Sequence, residues 1–315
     1  MIDTVVRRIV AAVPLLLLIS IAVFGLLHLV PGGPLAVYLA NTDVRPEDLE
    51  RLRRSLGLDE PLWRQYLKWL SGFVQGDWGY SYSDGRPVLD RVTERLPATV
   101  ELVTASVIVA LFVTWPLGIA AALGRPRAVR RVAAALAFAG TSLPVFWFGL
   151  MLQLVFASGL GLLPSSGRTT PGAGGWLDRL SHLVLPATML ATVHAAAWSR
   201  YLGAAVRDTA TQPFVAAARA RGVPPPNVLR RHIVRPALLP VITVVLLDVA
   251  LMAAGSVVTE SVFAWPGLGS LFTEAIARRD YTLLMALLML ASTAVVLFNL
   301  AADICYAIAD PRVRV

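Results

Sequence analysis

Six long runs of apolar residues are separated by shorter polar stretches: Ile9 to Val30, Ala98 to Leu123, Val132 to Ala157, Leu183 to Trp198, Ala237 to Val258 and Leu283 to Ile308. A bilayer core of about 30 Å needs about 20 apolar helical residues, so five runs are long enough to span and Leu183 to Trp198 is short. The longest polar region, Pro31 to Pro97, has its own helical periodicity. Pro46 and Glu47 open a stretch with Leu49, Leu52 and Leu56 on one face and Glu47/Arg51 and Glu50/Arg54 at i,i+4, stopped by Gly57. A second stretch begins at Asp59-Glu60-Pro61, with Leu62, Trp63, Tyr66, Leu67 and Leu70 as its apolar stripe. That pattern suits an amphipathic helix on the membrane interface or on the outer ends of the spans. Between the fourth and fifth runs, the alanine-rich stretch Ala210 to Arg221 predicts one helix closing at Gly222. Pro224-Pro225-Pro226 then starts a second short helix, and Pro236 and Pro240 mark the beginning of the fifth span.

Composition agrees with a membrane chain: 57% of residues are apolar, 15% are charged and mean hydropathy is +0.67. The net charge of +8 raises the question of nucleic acid, but the charges sort by side of the membrane. The N-terminal tail, Gly124 to Arg131, Ser199 to Pro236 and the C-terminal tail hold 15 basic and three acidic residues. The opposite side holds 13 basic and 14 acidic residues, and Glu101, Asp248 and Asp303 lie inside the apolar runs. Arginines in short loops mark the cytoplasmic face, so both termini are expected there and no nucleic-acid partner is expected. Arg7 and Arg8 precede an apolar run too long for a signal core and without a small-x-small cleavage site, which reads as an uncleaved first helix.

Several chemistries are excluded by what they require. The only lysine, Lys68, lies in Gln65-Tyr66-Leu67-Lys68-Trp69, so no phosphate-binding P-loop can form and ATP hydrolysis would have to come from a partner. The histidines His28, His182, His194 and His232 are scattered without metal-ligand spacing, and the lone Cys305 supports neither a disulfide framework nor a thiolate cluster. No G-x-S-x-G elbow is present, and the chain reads as no enzyme. Asp248 is the sharpest single residue. Midway along its run, its carboxylate costs several kcal/mol unless paired, hydrated or protonated. Two readings follow, a residue facing a water-filled pathway or one bonded to a neighbouring helix, with Thr243 or Ser256 as same-helix company. The arginines of Arg207 to Pro240 likewise suit either a docking surface or a loop held near anionic headgroups.

Phe214 to Val241, FVAAARARGVPPPNVLRRHIVRPALLPV, resembles the cytoplasmic loop signature of bacterial ABC-importer permeases. Ala217, Ala218, Gly222, Ile233 and Pro240 fit it, while Ala216 stands at the glutamate position. Ala218-Arg219-Ala220-Arg221-Gly222 and His232 to Pro240 are similar to the dipeptide/oligopeptide branch, with Pro236 replacing an asparagine. Further similar stretches are Leu29 to Pro34, Leu56 to Pro61, Gly76 to Ser81, Ser142 to Trp147, Glu260 to Gly269 and Asp310 to Arg312, so the resemblance runs nearly end to end.

The resemblance implies an all-α membrane protein of the type I importer permease fold. It would have six transmembrane helices, an extracytoplasmic insertion between the first two, and a place in the bacterial inner membrane. Residues 1–30 would form the N-terminus and first helix, 31–97 the outer region, 98–310 the core with a coupling loop at 207–236, and 311–315 the tail. Ala216, Ala217, Ala218, Arg219, Ala220, Arg221, Gly222 and Val223 would couple to the ATPase, and Asp248 would lie on the pathway or a helix interface. The implied partners are a homologous second permease, two cytoplasmic ATPases that carry ATP and Mg, an extracytoplasmic substrate-binding protein, and membrane lipid. Peptides are the implied solute, with nickel, glutathione or oligosaccharides as alternatives within the same family. An ion-coupled secondary transporter with Asp248 as its ion site is a different class, which inverted repeats or interrupted short helices would support; neither is visible in the sequence.

Overall fold

The computed structural model describes residues 2–29, 46–55, 57–123, 127–172 and 174–309. Among these, helices account for nearly all regular structure. They are α1 (Ile2–Leu29), α2 (Pro46–Ser55), α3 (Leu62–Gln75), α4 (Val88–Leu123), α5 (Arg127–Ser142), α6 (Val145–Leu152) and α7 (Trp176–Ala210). There follow α8 (Pro213–Ala220), α9 (Pro225–Asn227), α10 (Arg235–Gly255), α11 (Val257–Val262), α12 (Leu268–Ala277) and α13 (Tyr281–Ala309). Among the described residues, five helical segments are long and apolar enough to cross a membrane: Val6–Leu29, Val88–Leu123, Trp176–Ala210, Pro225–Ala253 and Tyr281–Cys305.

Two spans differ from the sequence expectation in opposite ways. The short fourth run is the centre of α7, whose 35 residues reach about 52 Å because polar and small residues extend the helix on both sides. The third run, Val132 to Ala157, is broken instead. α5 ends at Ser142, and Pro144, with ψ 125°, caps the start of α6, which runs on through a π-helical turn, Gln153–Gly159. Pro144 has no N–H to offer the preceding turn, and its ring disfavours helical backbone at Leu143. Pro97 acts differently. It does not mark the start of the second span, because α4 begins at Val88 and carries Pro97 and Pro116 inside it.

The core forms where α4 packs along α7, with Leu102, Ala110, Leu190, Ala195 and Trp198 buried between them and α10. Close approach depends on Gly118, where an added Cβ would lie 2.9 Å from the Leu202 side chain. α10 and α1 flank α13, and Arg8 on α1 meets Asp303 on α13 at 3.2 Å. Between them, α4, α10 and α13 leave an apolar groove of about 570 Å³ lined by Val100, Val103, Val107, Val249, Leu287 and Ala291.

Between α1 and α4, both expected i,i+4 ion pairs of α2 are present, at 4.0 Å and 3.3 Å. The side chains of its expected apolar face, Leu49, Leu52 and Leu56, lie outside the described residues, as do the motif positions Val30 to Pro34 and Asp310 to Arg312. α3 stops at Gly76 in the left-handed conformation. It rests on α1: the Tyr66 hydroxyl bonds Ser20 Oγ at 2.8 Å, and Phe24, Tyr66, Trp69, Phe73 and Trp78 form a continuous aromatic ladder. Its other face leaves Trp63, Leu67 and Val74 exposed.

Candidate functional site

The end of the bundle where α7 finishes presents a short helix on a firm seat. Ala210 to Arg221 is not one helix, because α7 continues through Ala210 and the chain turns at Thr211 and Gln212 before Pro213 opens α8. Gln212 is extended, and proline is pre-organised for a first helical position. Val215 and Ala218 face inward and are buried with Ala122, Leu202, Val206, Val228, Ile233 and Ala237. Ala216, Ala217, Arg219, Ala220, Arg221 and Gly222 face outward, and Val223 is half-buried. The expected coupling residues thus divide. Six form a small-residue surface with two guanidiniums, and Ala218, together with Val215, anchors it.

α8 ends as the glycine predicts. Gly222 adopts φ 77°, its N–H donates to the Arg219 carbonyl at 3.0 Å, and the Val223 N–H donates to the Ala218 carbonyl at 3.2 Å. That pair of bonds is a Schellman stop. The polyproline run restarts the helix at Pro225, but no separate second helix follows. α9 passes through a π-helical turn, Val228–Val234, directly into α10, with Pro236 and Pro240 within that helix. Pro236 and Pro240, one turn apart, each lack an N–H donor, and the widened turn lies directly before the first of them.

Asp248 has interhelical company. Trp198 Nε1 on α7 donates to its Oδ2 at 2.7 Å, and His194 Nδ1 lies 3.8 Å from the same oxygen. The same-helix candidates are engaged elsewhere, Thr243 with the Leu239 carbonyl and Ser256 with Glu260. The other two carboxylates in apolar runs are also paired. Arg168 reaches Glu101 at 2.6 Å with Arg179 at 3.6 Å, and Asp303 has Arg8.

Two buried polar clusters escaped the sequence reading because their partners are far apart in the chain. Glu260 is fully buried, and it accepts from Thr99 Oγ1 at 2.8 Å, Ser256 Oγ at 2.9 Å and the Ser270 N–H at 2.9 Å. Thr99 Oγ1 also accepts the Leu268 N–H, and Trp265 Nε1 donates to the Ala98 carbonyl at 2.8 Å, so Glu260 clasps the α11–α12 turn onto α4. Glu260→Ala is expected to destabilise the protein by roughly 3–5 kcal/mol, since three donors lose their acceptor inside the structure. Thermal unfolding in detergent measures this, and a midpoint equal to that of the parent would refute it.

The second cluster surrounds Arg91, whose guanidinium is 3.1 Å from Glu274, 3.4 Å from Asp84 and 3.9 Å from Asp280, with Ser81 and Ser83 adding oxygens. Asp280 caps α13 by accepting the Leu283 N–H and also accepts the Tyr82 N–H, so the loop after Gly79 is tied to α4, α12 and α13. Burial of Asp84 opposes its ionisation, but the Arg86 N–H, the Ser81 hydroxyl and the Arg91 charge outweigh it. They hold its carboxyl below the usual carboxylate range.

Comparison with known proteins decides what this bundle is. Residues 114–315 match the family model of the binding-protein-dependent transport system inner membrane component, and residues 1–103 match the N-terminal model of the same system. The chain belongs to this family. It is 39% identical over 312 residues to the oligopeptide transport system permease protein AppB of Bacillus subtilis, covering 98% of each chain. It is 32% identical to the dipeptide transport system permease protein DppB of Escherichia coli K12, covering 100% of this chain and 99% of that one. The glutathione transport system permease protein GsiC of Escherichia coli K12 is 35% identical with the same coverage. Inward-facing structures of the MetNI methionine ABC transporter share the fold, with a TM-score of 0.59, 18% identity and coverage of 71% of this chain and 98% of that one. The protein is therefore a multi-pass inner-membrane permease subunit of a binding-protein-dependent ABC importer.

Proposed function

We propose that this permease forms half of the translocation pathway of a peptide importer, working with a homologous second permease, two ATPases that carry ATP and Mg, and an extracytoplasmic binding protein. The observation that carries the coupling role is the exposed face of α8, where Ala216, Ala217, Ala220 and Gly222 permit close approach and Arg219 and Arg221 supply positive charge. α8 is seated on the same buried cluster as the inner parts of α7 and α10, so movement of α8 is transmitted to both helices. ATP binding draws the ATPases together, the displaced α8 carries the helix ends, and the outer end opens to receive solute. The peptide assignment is supported by the names of the AppB and DppB relatives; GsiC, whose named solute is glutathione, keeps that alternative within the same importer type.

In this reading the broken α5–α6 segment serves as a sixth crossing, 1–30 is the N-terminus and first helix, 31–97 the outer region, 98–310 the core and 311–315 the tail. Both termini are cytoplasmic and residues 207–236 form the coupling loop. Asp248 belongs to the pathway or a subunit interface rather than lipid, because it is half-buried and held by Trp198. A reconstituted four-subunit complex given its loaded binding protein is expected to import peptide with ATP, and to continue after an uncoupler collapses the ion gradients. Uptake abolished by the uncoupler at constant ATP would favour an ion-coupled transporter instead. Topology is tested separately: a cysteine at Asp84 is expected to react with an impermeant thiol reagent in spheroplasts, and one at Arg127 only after lysis. Equal labelling before lysis would overturn the assigned orientation.

A further inference from the structure

His194 and Trp198 lie one turn apart on α7, and both turn toward Asp248 on α10. Trp198 is fully buried, with its ring centroid 5.7 Å from that of His194, and its single N–H is committed to Asp248 Oδ2. Among the described residues, nothing donates to Asp248 Oδ1 and no hydrogen bond engages His194 Nε2. The two side chains nevertheless keep 27% and 19% of their surface accessible. A partly open carboxylate at this depth is too costly against hydrocarbon, so the open side of the pair faces water or another subunit.

The chemistry of that open side is one-sided. Nδ1 is the ring nitrogen on the carboxylate side, so the neutral imidazole that carries its proton there has its lone pair on Nε2, on the open side. Asp248 Oδ1 and His194 Nε2 are then two acceptors, one of them anionic, and the adjacent indole has no donor left to offer. Such a site repels carboxylates and suits a cation with several N–H donors. We propose that His194 and Asp248 form a binding point for the ammonium group of a translocating peptide, oriented by Trp198. The inference rests on the peptide-importer reading above. An α-amino group is common to unmodified peptides of any side-chain composition, so one fixed point serves them all; a lysine side chain offers the same chemistry.

The test uses the full complex in liposomes with its binding protein and three peptides that the binding protein holds equally well. One has a free α-amino group, one is N-acetylated, and one is N-acetylated but contains lysine. The parent is expected to import the free peptide about tenfold faster than the acetylated one, the scale of a charge-assisted hydrogen bond. Asp248→Asn and His194→Phe are expected to reduce that preference, Asp248→Asn abolishing it, by slowing the free peptide and not the acetylated one. A purely structural role would slow both equally. Trp198→Phe, which keeps an aromatic ring in the core but removes the donor, is expected to weaken the preference while the complex still assembles. Restored uptake of the lysine peptide supports recognition of any ammonium group, and its absence confines the site to the α-amino group. A parent that imports the free and acetylated peptides alike, or His194→Phe and Asp248→Asn complexes that keep the parent's preference, overturns the site. Should Asp248→Asn fail to assemble, the His194→Phe result alone decides. A parent complex that imports no peptide overturns the peptide-importer reading instead.

Discussion

Gly222→Asp is expected to reduce transport below about a tenth of the parent rate while the permease still inserts and folds. The separation of these effects comes from local geometry. Gly222 has φ 77°, so any side chain there strains the turn by about 1 kcal/mol, yet an added Cβ meets nothing within 4 Å. The hairpin from α8 to α10 is held by Val215, Ala218, Val228 and Ile233, which the substitution leaves untouched. What changes is the exposed end of α8, where a carboxylate is placed beside Arg219 and Arg221 and occupies the space an ATPase would approach. Substrate-stimulated ATP hydrolysis is expected to fall with transport, and the unfolding midpoint to shift little. Transport at the parent rate by this variant would remove the docking assignment.

A large loss of stability is expected from Arg91→Met. Arg91 is 6% exposed and faces Asp84, Glu274 and the fully buried Asp280, so replacing it with an apolar side chain of similar length leaves acidic groups without their counter-charge. Breaking a buried ion cluster from one side costs about 3–5 kcal/mol. The loop between Gly79 and Pro87 is expected to become susceptible to protease from the outer side, together with a lowered unfolding midpoint. Protease resistance and a midpoint equal to the parent's would show that the cluster contributes no net stability. Acidification acts in the same direction at Asp84. Because its carboxyl is held below the usual range, its contribution is present above that range and fades as pH falls through the lowered value.

Hydrophobic periodicity made the membrane character, the positions of the apolar segments and the closure of α8 at Gly222 readable without coordinates. These follow from local causes: exclusion of apolar residues from water, and a backbone conformation that glycine adopts freely. The break before α6 also had a local cause, Pro144, but a continuous apolar run conceals it, because hydropathy counts side chains and not missing N–H donors. The length of α7 was concealed in the opposite way. Ser199, Arg200 and Arg207 end the apolar pattern, although the helix continues to Ala210 as the inner part of the bundle packs around it.

The sequence by itself determined that a carboxylate at Asp248 would be costly against lipid, because that cost depends on depth, and depth follows from its place in the apolar run. Only the tertiary structure decided that Trp198 and His194 meet it, that Thr99 and Ser270 surround Glu260, and that Arg91 gathers acids from three later or earlier segments. Each of those partners is supplied by a different helix or loop. A polar group excluded from water requires a partner, but which residue supplies it depends on how helices distant in sequence pack, and one chain's periodicity carries no register between them.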